Sequence, residues 1–564
     1  MNKWIKNNIN IIIGVFLLLG PLLDLLTGLC IHQLHTNITI GVIIRFIFLT
    51  FICLVVIFIF KKKKLIVPYL IIGIYFLFYI LGIIIYKDGV GLFTEIQNLG
   101  KVFYFPTLFV SLYSLKEELR ISKRTLFTVL ITYLTLIFIP LMLNVGYKTY
   151  EITKEGTLGF FNSANEISGI ISLLTPVLFI IMVKSKKIIP KIITAIMYLV
   201  VILTIGTKTP LLTLFLTIGF GIIYLWIYYF KTRAYKKIAI SGLIIIVAIT
   251  IILLIIPKTN FYKNIETHLK FLGVKNVEEI MSDEDLIDHF IFSQRLTFLH
   301  NKAIIFKESN TYQKIFGIGY LKDGDEIKSI EMDYFDIYYS HGVAGFLIFF
   351  YLTLYMLYKV LEKEEKLTLE RYMMQVSLLL IIFLSFFTGH ILTSPSVSLI
   401  TIIIILSLTH HSKRDLLFAN KELEGGLVSL LNTIDYTNNK VTLIVEKTDK
   451  DQIKRLNKHI NLRKRHYNLF KLTLFKILQD NIYDISFCYR KEKNYCKISE
   501  IASSNNILII HEKETTIEKE SYKKIAFLSK ELKKKYLIKN KGLKEKSILF
   551  DKKLTEEKLG EILE

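Results

Sequence analysis

Cysteine is scarce, with four in 564 residues. Cys30, Cys53, Cys488 and Cys496 form neither a CxxC pair nor a Cys/His cluster of zinc spacing, which excludes a disulfide scaffold, a thiol redox motif and a structural zinc site. Charge is thin as well: charged residues make up 21% of the chain and hydrophobic ones 52%. That balance is neither disordered nor collagen-like. No small-residue cleavage site follows the first apolar stretch, which carries Pro21 and Asp24, so it reads as a retained helix and not a signal peptide. The apolar part shows no internal repeat.

What the chain has in quantity is apolar length. Mean hydropathy is +0.47, and 40 Phe and 31 Tyr sit among Ile/Leu runs. About 20 apolar residues cross a bilayer as a helix, and stretches of that kind lie near 10–30, 38–60, 65–86, 96–115, 125–145, 166–184, 188–206, 210–230, 238–256, 336–358, 373–390 and 394–410. The expectation is an all-α polytopic membrane protein of about 12 transmembrane helices. Cytosolic connections should be rich in Lys and Arg. Lys3 and Lys6, Lys61 to Lys64, Lys116 to Arg124, Lys184 to Lys187, Lys231 to Lys237, Lys359 to Arg371, and Lys413 with Arg414 all fall on one side of that layout, which puts both termini in the cytosol. The formal charge of +23 therefore reads as a membrane signature and not as nucleic-acid binding.

Two regions depart from the pattern. Residues 257–335 form a long outer loop with 10 Lys/Arg against 13 Asp/Glu, and amphipathic pieces such as 296–307 would lie on the membrane. Loops of this length are usually functional or disordered. From about 411 to 564 hydropathy falls and charge rises to 33 Lys/Arg against 22 Asp/Glu, the mark of a soluble cytosolic domain beside a 1–410 membrane domain.

A charge inside a bilayer costs at least about 2.5 kcal/mol, so each such residue invites a reason. Asp24 and Arg45 lie six or seven residues from the outer ends of adjacent stretches. They can meet at equal depth as a structural ion pair, and Arg45 is also a candidate substrate contact. Lys208, in the short outer connection 205–210, is as suited to an anion as to a structural role. Glu95 and Lys101 read as snorkelling or paired. The segment Gly156 to Glu166 leads straight into a helix, and its Asn162 and Asn165 are candidate substrate-binding residues. Glu331, Asp333 and Asp336 bring three carboxylates to the start of the tenth stretch, and Arg295 stands alone among apolar neighbours.

In order, these pieces resemble the O-antigen ligase and polymerase superfamily, membrane glycosyltransferases acting on lipid-diphosphate-linked sugars. The resemblance spans most of 1–410. Gly156 to Asn165 is similar to that family's Gly-x-Phe-x-Asn-x-Asn segment. Gly206 to Pro210 resembles its Ser-Arg-Gly segment, with Lys208 at the Arg position. Arg295 followed by Ile315-Phe316-Gly317-Ile318-Gly319 resembles its outer-loop Arg and Gly-x-Gly turn. Gly342-Val343-Ala344-Gly345 resembles its Gly-x-x-Gly. In ligases a His-Asn type pair precedes that first Gly with nine residues between them, where this chain has Glu331 and Met332; His341 is not at the motif position. The resemblance implies an inverting, metal-independent transferase of the GT-C-like membrane type, without a cofactor. It would polymerise undecaprenyl-diphosphate-linked oligosaccharide repeat units at the outer face of the cell membrane, or, as a ligase, move a finished glycan to another acceptor. Glu331 would be the general base, Arg295 and Lys208 would stabilise the leaving diphosphate, and Asp333 or Asp336 would either stand in as base or orient the sugar. A transporter or scaffold is the alternative outside the enzymes.

The tail alternates strand and helix, with strands at 415–418, 440–445, 484–489, 506–510 and 524–528 and Gly425-Gly426 opening a helix. This is a parallel, Rossmann-like α/β pattern. Residues 414–555 are similar to the N-terminal half of two-Rossmann (GT-B) glycosyltransferases, with His511 where that family often ends a strand. The nucleotide-binding half has no counterpart, and Glu512 and Glu520 follow the wrong strand to replace its Glu pair. The expectation is a tail without transferase activity of its own, serving as a docking module for other polysaccharide-assembly proteins.

Overall fold

In the computed structural model the described residues are 2–409, apart from 35–38, 87–90, 120, 150–155, 186–187, 275–278, 281–282, 324–325 and 363–366; beyond 413 they are chiefly the backbone of seven strands. Contacts divide the chain into two compact units, Met1–Thr409 and His410–Glu564.

The first unit is helical. Its long helices are α1 (Asn2–Gln33), α2 (Ile40–Leu54, continued by a π-helical turn to Ile59), α3 (Ile66–Tyr86), α4 (Leu92–Tyr113), α5 (Lys123–Met142), α6 (Ala164–Lys184), α7 (Ile188–Ile205), α8 (Lys208–Lys231) and α9 (Tyr235–Ile255). Four shorter helices follow, α10 (Asn260–Phe271), α11 (Glu284–Ile287), α12 (Arg295–Glu308) and α13 (Thr311–Phe316), and after the hairpin β1 (Leu321–Asp323) and β2 (Glu326–Lys328) the bundle resumes with α14 (Asp333–Leu361), α15 (Leu369–Phe387) and α16 (Pro395–Thr409). Among the described residues nine helices are long and apolar enough to cross a membrane. The other three expected spans also form helices. Of these, α4 has 22 residues but carries Glu95, Gln97, Asn98 and Lys101, and α16 is apolar but only 15 residues long. The third, α9, is 21 residues long, and several of its side chains lie outside the described residues.

Helices α6 and α15 are buried over most of their length and form the centre of the bundle. Peripheral α7 instead exposes Ile188, Ile189, Ile192, Ile193 and Ile196, an apolar face suited to lipid. Between helices in lipid the driving force is close packing more than water exclusion, and small residues permit it. A Cβ on Gly221 would lie 2.2 Å from the Phe179 ring, and one on Gly100 would lie 2.9 Å from Phe46.

Ion pairs define one end of the bundle. Glu370 binds both Lys123 and Lys184, Arg371 reaches Glu362 at 2.5 Å and the Leu408 carbonyl at 3.0 Å, and Lys62 lies 3.8 Å from Glu118. These are the Lys-rich connections. The long loop and the remaining turns gather at the other end.

That loop is mostly helical. Helix α12 forms over the expected amphipathic piece 296–307, yet its apolar residues are spread round the helix. The amphipathic helix of the loop is α10. Backbone contact fixes the loop's return: Gly317, at φ 108°, and Gly342, at φ 67° in the middle of α14, approach so closely that a Cβ on Gly342 would sit 2.5 Å from the Gly317 nitrogen. Ile318 and Gly319 N–H donate to the Tyr339 and Ser340 carbonyls that the kink frees. Both glycine motifs thus serve one joint.

The second unit contains β3 (Arg414–Glu422), β4 (Asn439–Lys447), β5 (Leu462–Arg465), β6 (Ile485–Tyr489), β7 (Asn506–Ile510), β8 (Tyr522–Phe527) and β9 (Ser547–Leu549). They form one sheet of order β5-β6-β4-β3-β7-β8-β9 with every neighbouring pair parallel. Gly425, Gly426, His511, Glu512 and Glu520 lie outside the described residues.

Candidate active site

The loop-bearing end of the bundle collects polar side chains from four segments. Glu331 precedes α14 and has φ +58°, a conformation uncommon for a residue with a Cβ and typical of functional turns. Its carboxylate accepts from Arg295 Nη2 at 2.9 Å and from Asn165 Nδ2 at 3.4 Å. Arg295 Nη1 also donates to the Phe387 carbonyl at 3.2 Å. Among the described residues its buried Nε–H has no hydrogen-bond acceptor.

The local chain explains how Arg295 is presented. Ser293 and Gln294 both adopt left-handed φ, 55° and 64°, and turn the chain sharply into α12. Buried Asp288 then receives Leu296 N–H at 2.9 Å, Thr297 N–H at 2.8 Å and the Thr297 hydroxyl at 2.7 Å, satisfying orphan donors of the first turn. Two turns on, buried Lys302 reaches Ser340 Oγ at 2.7 Å and Asp336 at 3.4 Å. Sequence reasoning missed Asp288 and Lys302. An acid eight residues before the N–H it caps follows no local capping spacing, and a lysine among loop charges gives no sign that it is buried.

Lys208 opens α8 after the Gly206 turn. Its ammonium donates to the Phe290 carbonyl and lies 4.6 Å from that residue's ring centroid, a cation–π contact. It is close enough to Arg295 for the two charges to repel. His268 also lies against Phe290, at 5.3 Å between ring centroids. Burial first, then the charges of Lys208 and His289, push the His268 imidazole below its usual range. The aromatic anchor Phe290 was also missed, because a lone Phe in an apolar-rich loop carries no signal.

The remaining expected residues divide. Asn162 is exposed in the turn before α6, while Ser163 takes the capping role, accepting from Glu166 N–H at 3.4 Å. Asp336 binds Ile330 N–H at 2.9 Å and Met332 N–H at 3.3 Å besides Lys302, closing the turn that holds Glu331. Asp333 is buried beneath 390–393 and accepts hydrogen bonds from that segment. Arg45 is inside the bundle at 2.7 Å from Asp24, which also accepts from Tyr133 at 2.5 Å and Ser396 at 3.0 Å. His341 is fully buried, its Nε2 3.1 Å from the Tyr320 hydroxyl. Glu95 is buried too, accepting from Tyr79 at 2.7 Å and Tyr320 N–H at 3.0 Å.

The site is therefore an arginine–carboxylate pair at a helix entrance, with a lysine nearby and an amide beside the carboxylate. Such a set can bind an anion and accept a proton. The sequence model of the O-antigen ligase like membrane protein family matches residues 6–411. This chain belongs to that family. Membership makes it a multi-pass membrane enzyme of the glycosyltransferase type, in a family of glycan ligases and polymerases that act on lipid-linked glycans. No curated protein matches the chain. The O-antigen ligase like match takes in the Gly156–Glu166 segment, Lys208, Arg295, Glu331 and the Gly317–Gly342 joint, and ends at the boundary between the two compact units.

Proposed function

We propose that this protein is a polysaccharide polymerase joining undecaprenyl-diphosphate-linked oligosaccharide repeat units at the outer face of the cell membrane. The observation that carries the reading is the 2.9 Å Arg295–Glu331 pair at the bundle end opposite the Lys-rich connections. In the reaction an acceptor hydroxyl attacks the anomeric carbon of the donor, the new C–O bond forms on the face opposite the old one, and inversion results. The hydroxyl proton goes to Glu331. The electron pair of the breaking C–O bond goes to the diphosphate, whose growing charge Arg295 and Lys208 meet. Fixed cations aimed at developing charge contribute about 3 kcal/mol or more each, so two of them can stand in for a divalent ion.

Asn165, 3.4 Å from Glu331, and Asn162 are the sugar or phosphate contacts of this reading. Asp333, Asp336 and Arg45 support it from behind, since their polar atoms are engaged by protein. Twelve spans with both termini in the cytosol complete the topology, and the parallel sheet of the second unit is read as a GT-B-like half that docks other assembly proteins.

The test is to purify the protein, add a lipid-diphosphate repeat unit from its own host, and resolve the products by length. A ladder that lengthens with time is the expected result. One discrete transfer to an added acceptor would mark a ligase instead, and an unchanged competent substrate would overturn the enzyme reading in favour of transport or scaffolding.

A further inference from the structure

Asp333 sits two residues from Glu331, is 1% exposed, and has no spare hydrogen-bonding capacity in the usual sense. Its Oδ1 accepts from His390 N–H at 2.9 Å and from the Thr393 hydroxyl at 2.8 Å, and its Oδ2 accepts from Ile391 N–H at 2.9 Å and Leu392 N–H at 2.7 Å. Four donors converge on one carboxylate from a single segment of four residues. A charge-assisted set of this kind fixes backbone more firmly than neutral contacts do.

What that segment does next makes the clamp matter. Gly389 immediately precedes it and packs against the Glu331 main chain, so closely that a Cβ there would be 2.7 Å from Glu331 Cα and 2.9 Å from its carbonyl carbon. Two residues earlier, the Phe387 carbonyl receives Arg295 Nη1 at 3.2 Å. The one turn between α15 and α16 thus touches both members of the Arg295–Glu331 pair. His390, next to Gly389, holds φ +65° and Glu331 holds φ +58°, so each of the two segments that meet here carries a left-handed residue in need of external support.

We propose that Asp333 is a positioning residue: by gathering the 390–393 turn it presses Gly389 onto the Glu331 backbone and holds the Phe387 carbonyl under Arg295, setting the distance between base and cation. This rests on the reading of Glu331 as the base. It assigns Asp333 a role different from substrate orientation, because both of its oxygens are already taken by the four donors of 390–393.

The experiment measures kcat and donor KM of the full-length protein for glycan transfer in Thr393→Val, Gly389→Ala and Asp333→Asn, alongside Glu331→Gln. Thr393→Val removes one of four donors and leaves the charge; a fall in kcat of about 10-fold at constant donor KM is expected, the lower end for one lost hydrogen bond to a charged group. Gly389→Ala pushes on Glu331 directly, and kcat should fall by more than in Thr393→Val, again at constant KM and with the melting temperature within a few degrees of the parent. Asp333→Asn, which turns an amide N–H₂ toward donors, should be the most damaging of the three positioning variants. Unchanged kcat in both Thr393→Val and Gly389→Ala while Glu331→Gln is inactive would overturn the positioning role and leave Glu331 as base. A matching loss of kcat and of folded protein in Thr393→Val would overturn it in favour of a purely structural turn. An active Glu331→Gln would instead sink the reading on which it rests.

Discussion

Two arginine–carboxylate pairs in this chain look alike by distance and differ in everything around them. Asp24 and Arg45 meet at 2.7 Å with side chains 7% and 5% exposed, and Arg295 and Glu331 meet at 2.9 Å with side chains 13% and 39% exposed. The inner carboxylate also takes Tyr133 and Ser396, from α5 and α16, so four helices share one charge pair. Among the described residues the outer carboxylate takes only Asn165 besides the arginine, and it is the more exposed of the two carboxylates. A pair whose partners are all engaged by protein holds helices together. A pair with open capacity at a water-exposed edge can exchange its partner for a substrate.

Breaking the outer pair should have the largest effect on chemistry. Glu331→Gln or Arg295→Ala is expected to lower glycan transfer by at least about 100-fold, with protein abundance and detergent-solubilised melting close to the parent; loss of folded protein in both would erase the distinction between the two pairs. Breaking the inner pair should do the reverse. Arg45→Met leaves Asp24 as an unpaired buried charge and is expected to cost about 3–5 kcal/mol, read as lost monodisperse protein, whereas Asp24→Leu combined with Arg45→Met should recover much of the yield. Full yield for Arg45→Met with selective loss of transfer would move Arg45 into the site.

Smaller effects sharpen the contrast. Gly342→Ala forces a Cβ into the Gly317 backbone at φ 67°, and a cost of about 1–3 kcal/mol should appear as a lower melting temperature with transfer reduced in proportion; an unshifted melting curve would deny the joint its importance. Lys208→Ala should lower transfer about 10-fold, less than Arg295→Ala, with Lys208→Arg restoring part of it because charge and ring contact are retained. Deleting 411–564 should affect the purified membrane domain least of all while reducing polysaccharide assembly in cells. Equal loss in both assays would remove the docking role.

Much of the outer site was legible because charge is costly in apolar surroundings. Arg295, Lys208 and Glu331 stand out in sequence for that reason, and the structure gathers Arg295 with Glu331 and sets Lys208 against Phe290. The same signal does not distinguish roles. Asp333 and Asp336 share the acidic run of Glu331, yet one gathers the 390–393 turn and the other holds Lys302, because on the first turn of a helix neighbouring residues point in different directions. Asp288, Lys302 and Phe290 were invisible since their partners lie in other elements or at non-local spacing.

The sequence by itself determined that residues 1–410 form apolar helices in a membrane, because hydropathy and the placement of Lys and Arg are additive properties of local composition. It also marked the Gly317–Gly319 and Gly342–Gly345 motifs, whose left-handed backbone at Gly317, Gly319 and Gly342 the structure then showed. Only the tertiary structure decided that two of those glycines are a single contact, that Arg45 is spent on Asp24, and that Glu331 rather than Asp333 is left open. Those outcomes depend on which helix ends meet, and a hydrogen bond is satisfied or left over only by the atoms that folding brings within about 3 Å of it.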